Sequence, residues 1–137
     1  MICIATGGKL ITLAATAFTL SWTHSVEKTR WEEHWTAGPL GLTVVEGRIE
    51  GSGAGMDPPP DAVLKDGAYV YHPHVPPLPE LVLAASGATV GGWRLCAEGS
   101  TCLTLGEKAG SPVNVRWCTP GGAEAASLTA AGPASPD

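Results

Sequence analysis

Residues 21–35, SWTHSVEKTRWEEHW, hold three of the five tryptophans of a 137-residue chain, together with two histidines and three glutamates. Apolar and polar side chains alternate on both sides of a polar break at Lys28-Thr29. Read as a hairpin turning there, Val26 faces Trp31, His24 faces Glu33 and Trp22 faces Trp35. One face then carries Leu20, Trp22, His24, Val26, Trp31, Glu33 and Trp35, while the other carries Thr23, Ser25, Glu27, Arg30, Glu32 and His34. Such a division is what a half-buried antiparallel pair requires. A slip of one residue mixes the two faces, so the pattern argues for this register. Ser25 falls on the opposite face from His24 and is therefore not paired with it as nucleophile and base.

The next strand extends the pattern. With residues 38–41, GPLG, as the connection, Ala37 faces Leu42, Trp35 faces Val44, Glu33 faces Glu46 and Trp31 faces Arg48. This reading lays His24, Glu33 and Glu46 in one row across three strands, with opposed Cβ atoms about 4.5 to 5.5 Å apart. Two carboxylates that close, walled by indole, need a cation or donor between them to ionise together. The row reads in three ways: a satisfied structural ion network, a binding or metal site, or an acid/base pair. One His with two Glu matches no recognised zinc spacing, so the metal stays unknown.

Outward from this core the chain continues as short apolar runs with clear punctuation. Strands are predicted over residues 18–26, 30–37, 41–50, 68–72, 80–85, 92–97, 101–106 and 113–118, with the Gly- and Pro-rich stretch 51–61 as a break. Before them, Gly7-Gly8 between ICIAT and KLITLA is a two-residue hairpin signal. The competing reading is a cleaved or anchoring leader, with Ala15-Thr16-Ala17 as a small-residue cleavage site. No run approaches the roughly 18 unbroken apolar residues of a membrane span, so the chain is expected to have no spanning segment of its own. Strands at this spacing predict an all-β fold, a small antiparallel sandwich or partly open barrel, in a single domain over residues 1–118. Residues 119–137, rich in Ala, Gly, Ser and Pro, lack the large apolar groups that would offset ordering entropy, and a disordered tail is expected there. The net charge of −5, with no Lys/Arg cluster, excludes a nucleic-acid partner.

The order of elements over residues 18–56 carries a family resemblance. FTLSWTHSVEKTRWEEHW, followed by VVEGRIEGSGAGMDPPPDAVL, resembles a small uncharacterised bacterial family encoded beside TAXI-type tripartite (TRAP) transporters, over roughly residues 1–118. Its pattern is a His-Ser-Val stretch, a following Glu, and a Ser-Gly-Ala-Gly turn. The resemblance implies pattern positions at His24, Ser25, Glu33, Ser52, Gly53 and Gly55, a membrane transporter or its solute-binding protein as partner, and a periplasmic or membrane-associated setting. The absence of a convincing signal peptide supports the cytoplasmic alternative. On its own chemistry, the turn over residues 52–55 reads either as a sharp bend or as an anion-binding nest of amide hydrogens.

The cysteines provide a further register. In GWRLCAEGSTCLTLG, a five-residue loop places Cys96 opposite Cys102, Leu95 opposite Leu103 and Trp93 opposite Leu105. The cysteines read in three ways: a Cys96–Cys102 bridge, a bridge from Cys118 to either of them, or free buried thiols. His72 and His74 lie in a Pro-rich stretch and read as solvated. The sequence carries no cofactor fingerprint, and none is expected. Two classes remain: a non-enzymatic accessory or binding domain, and a small metal-dependent or acid/base enzyme using the His24, Glu33, Glu46 row.

Overall fold

In the computed structural model, the described residues are 1–23, 29–50, 60–85, 90–99 and 101–119. They form β1 (Ile2–Thr6), β2 (Lys9–Leu13), β3 (Ala17–Thr23), β4 (Arg30–Gly38), β5 (Gly41–Glu50), β6 (Val63–Lys65), β7 (Ala68–Tyr71), β8 (Leu81–Leu83), β9 (Val90–Ala97), β10 (Cys102–Leu105) and β11 (Val113–Trp117). A four-stranded sheet runs in the order β2-β1-β11-β8, and a seven-stranded sheet in the order β10-β9-β3-β4-β5-β7-β6. Every pairing is antiparallel, and the two sheets face each other as an open sandwich rather than a closed barrel. The expected all-β sandwich is thus what the chain forms. The C-terminal tail lies outside the described residues.

The amino-terminal run is structural. Gly7 and Gly8, both at positive φ, turn β1 into β2, and β1 sits between β2 and β11 with Ile2, Cys3 and Ile4 sealed from solvent. Ile2 and Ile4 meet Phe18, Leu20, Trp35, Val44, Val113 and Val115 in the common core. Removing residues 1–13 as a leader would take away two of the four strands of the smaller sheet. Among the described residues no helix is long and apolar enough to cross a membrane.

The pairing of β3 with β4 differs from the sequence expectation. Leu20 faces Glu33, Trp22 faces Trp31 and Phe18 faces Trp35. Trp22 therefore does not face Trp35, and the position opposite Glu33 is taken by Leu20. The strands are displaced by four residues from the expected pairing. A displacement of four keeps the parity of every side chain, so sorting of faces cannot distinguish the two registers. Aromatic packing does: Phe18 stacks on Trp35 with ring centroids 6.1 Å apart, and Trp22 on Trp31 at 6.0 Å.

A bulge makes the second departure. β4 and β5 keep the expected register from Gly38 opposite Gly41 to Trp35 opposite Val44, then shift by one at Val45. Beyond that point His34 faces Glu46, Glu33 faces Gly47, Glu32 faces Arg48 and Trp31 faces Ile49. One extra residue in one strand reverses the parity of everything after it. Val45 is left exposed, Ile49 enters the interior at 2% exposure, and Glu46 and Arg48 turn outward.

A third difference is an added strand. The stretch after the Pro-rich break contains β6, joined to β7 by Asp66-Gly67, both at positive φ. Asp-Gly between two apolar runs is a strong two-residue hairpin signal.

Candidate functional site

The bulge separates the proposed row of acids. Glu33 lies on the inner face of the seven-stranded sheet with Trp31 and Trp35, whereas Glu46 lies on the outer face opposite His34. The row His24, Glu33, Glu46 is therefore not formed: Leu20 occupies the position opposite Glu33 on one side and Gly47 on the other. His24, Ser25, Ser52, Gly53 and Gly55 lie outside the described residues.

The outer face does hold histidine and glutamate together, in pairs not anticipated from the sequence. His34 Nε2 lies 2.8 Å from Glu32 Oε2, and His72 Nε2 is 3.6 Å from Glu46 Oε1. Arg30 reaches Glu32 at 3.2 Å and Glu50 at 3.4 Å. These half-exposed groups are matched in sign, hydrated, and worth little individually. Among the described residues no three His, Cys, Asp or Glu side chains converge as a metal-binding group.

The inner face is chemically different around Glu33. Its row runs Leu95, Leu20, Glu33, Gly47, Tyr71 across five strands. The neighbouring row runs Trp22, Trp31, Ile49, Tyr69, and Trp93 adds its ring to Trp22 at 4.9 Å. One carboxylate thus stands in an aromatic surround. Its Oε1 accepts a hydrogen bond from Trp35 Nε1 at 3.1 Å. Burial pushes the Glu33 carboxyl above its ordinary range, and the Trp35 bond offsets part of that rise.

Gly47 makes this arrangement possible. A Cβ at that position would collide with the Tyr71 ring and fall 2.7 Å from its hydroxyl oxygen. The missing side chain lets the phenol lie over the backbone of β5, toward Glu33. Burial and the Glu33 charge both push the Tyr71 phenol above its ordinary value. Close by in the sheet, Trp31 Nε1 is sealed from solvent and has no acceptor. An unsatisfied buried donor costs roughly 1–3 kcal/mol, so this end of the inner face carries a polar group that the described residues do not satisfy.

A domain of unknown function, DUF1850, matches residues 18–104, more than half of the chain. The chain belongs to this family. No curated protein and no solved structure matches it. The DUF1850 match spans nearly all of the seven-stranded sheet, from β3 to β10, and contains Glu33, Gly47, Tyr71 and four of the five tryptophans. β1, β2 and β11, which form most of the smaller sheet, fall outside it.

The four cysteines form two disulfides. Cys96 bonds Cys102 across β9 and β10, in the register expected. Cys118 bonds Cys3 and does not compete for that pair. Free thiols are absent. The partner of Cys118 comes from the opposite end of the chain, with Cys3 paired to Arg116 in the ladder. Nothing in local spacing joins residues separated by 115 positions.

Proposed function

We propose that this DUF1850 domain is a non-enzymatic binding module that works with a TAXI-type TRAP solute transporter, and that the aromatic inner face around Glu33 is its binding surface. The transporter setting rests on the resemblance carried by residues 18–56. The observation that supports binding is the isolated carboxylate: Glu33 is partly desolvated among Trp22, Trp31, Trp35 and Tyr71, with an indole N–H as its hydrogen-bond partner and, among the described residues, no cation beside it. Such a group lowers the stability of the fold that carries it, which is expected of a residue retained for recognition. The enzymatic alternative loses its residues, because the bulge at Val45 puts Glu33 and Glu46 on opposite faces.

Two disulfides support an oxidising compartment. Affinity capture of the full chain from the native membrane fraction tests the reading. A TRAP-type membrane component or its solute-binding subunit should be recovered in stoichiometric amount with the wild-type chain, and much less with Trp31→Ala. Recovery without any transporter subunit would overturn the transporter setting, and equal recovery with both chains would overturn the assignment of the inner face.

A further inference from the structure

Taking the inner face as the binding surface proposed above, the chemistry of its walls specifies what it takes. We infer that the inner face around Glu33 binds an organic ammonium ion, with the cation held between the Glu33 carboxylate and the faces of the tryptophan cluster.

Three observations lead to this. Glu33 is the acid of the inner face, and its hydrogen-bond partner is neutral, the Trp35 indole. On the outer face of the same sheet, Glu32 and Glu50 have Arg30, and Glu32 and Glu46 have histidines, within 4 Å. The elements packed beside Glu33 present Leu20 and Trp22 from β3 and Gly47 and Ile49 from β5. β7 contributes Tyr71, the titratable neighbour that senses the Glu33 charge. Arg48, the nearest basic residue in the ladder, points to the outer face opposite Glu32. Among the described residues no cation stands beside Glu33, and the inferred ligand supplies one.

The aromatic rings set the type of cation. Trp22 stacks on Trp31 and tilts against Trp93, an indole cluster in the row next to the one that holds Glu33. An alkylammonium is attracted to indole faces by the ring quadrupole and carries apolar substituents that these walls desolvate at little cost. A small hydrated inorganic cation would lose its water shell here against a single carboxylate, and a metal ion would need more oxygen ligands than this surface offers. An anion would be repelled by Glu33 once ionised. Gly47 lets the Tyr71 ring lie over β5, where a Cβ would collide with it, so the phenol forms one wall beside the carboxylate.

Choline and neohexyl alcohol, in which carbon replaces the choline nitrogen, make a matched pair of probes. Tryptophan fluorescence of the full chain is titrated with each, in wild type and in Glu33→Gln. Thermal unfolding is recorded alongside to confirm that the variant is folded. Saturable quenching by choline, weakened at least tenfold in folded Glu33→Gln and weakened in wild type as falling pH protonates Glu33, is the expected result. Equal binding of the alcohol and choline, insensitive to Glu33, would overturn the ammonium inference while leaving the inner face as a binding surface. Silence of the tryptophans to both probes would overturn the ammonium inference and the small-molecule form of the binding reading together.

Discussion

The two faces of the seven-stranded sheet treat the same residue type in opposite ways. On the outer face Glu32, Glu46 and Glu50 meet Arg30, His34 or His72 and stay hydrated. On the inner face Glu33 is surrounded by Leu20, Trp31, Trp35 and the Tyr71 ring, with a single indole donor. The outer arrangement stabilises by small screened increments, and any one member can be lost. The inner one imposes a desolvation cost that the fold carries through the packing of its neighbours. Among the described residues, charges are paired outside and one acid stands without a cation inside, which makes the inside the candidate surface.

The largest effect should come from removing the residue that decides which acids face where. Deleting Val45 takes out the bulge, turns Glu46 and Arg48 toward the core, and turns Ile49 out to solvent. The cost of burying such charges should exceed about 5 kcal/mol. No cooperative urea transition should remain; a deletion variant with near-native stability would refute the role assigned to the bulge. Next in size are the disulfides. Cys3 and Cys118 are sealed from solvent in a small cluster of their own with Met1 and Leu10, whereas Cys96–Cys102 joins the two strands of an edge hairpin. Replacing Cys3 and Cys118 with serine reopens a loop with a separation of 115 and should cost roughly 5 kcal/mol by the chain-entropy account. The same change at Cys96 and Cys102, with a separation of 6, should cost about 2 kcal/mol. Equal losses in urea titrations of the two variants would show that strain or packing, not loop closure, governs them.

Smaller still is the effect of Glu33→Gln, and here the sign matters more than the size. The folded-state carboxyl lies above the ordinary value of 4.5. Between the unfolded and folded values the native chain holds a proton that the unfolded chain releases. Stability from this group is therefore fully present below the unfolded value and is lost as pH rises through the folded value. Glu33→Gln should abolish that decline and leave the protein at least as stable as wild type at neutral pH. Marked destabilisation of the variant at neutral pH would mean that Glu33 is a structural anchor. The smallest expected effect is on the outer face, where Arg30→Met removes two half-exposed ion pairs and should change the unfolding free energy by under about 1 kcal/mol. A loss of several kcal/mol would erase the contrast between the faces.

Much of this organisation is legible in the chain because alternation and turn chemistry are local. The hairpin at Gly7-Gly8, the four-residue connection at residues 38–41 and the Cys96 to Cys102 register all follow from neighbouring residues. The bulge also left a trace: Val44 and Val45 are consecutive apolar residues, and after them the apolar parity moves to Ile49. The Asp66-Gly67 turn was a comparable trace of β6. The site was only half legible. Glu33 is identified by its place among tryptophans, but Tyr71, Trp93 and Gly47 come from strands far along the chain, and only the strand order brings them beside it.

The sequence by itself determined the β class, most strand boundaries and the face on which Glu33 lies, since parity is a property of adjacent residues. Tertiary structure alone decided which residues stand across from Glu33, where Cys118 finds its partner, and how far β3 slides along β4. Registers four residues apart have identical local patterns. They differ only in which aromatic rings stack and which side chains the second sheet covers, and those energies exist only once distant strands have packed together.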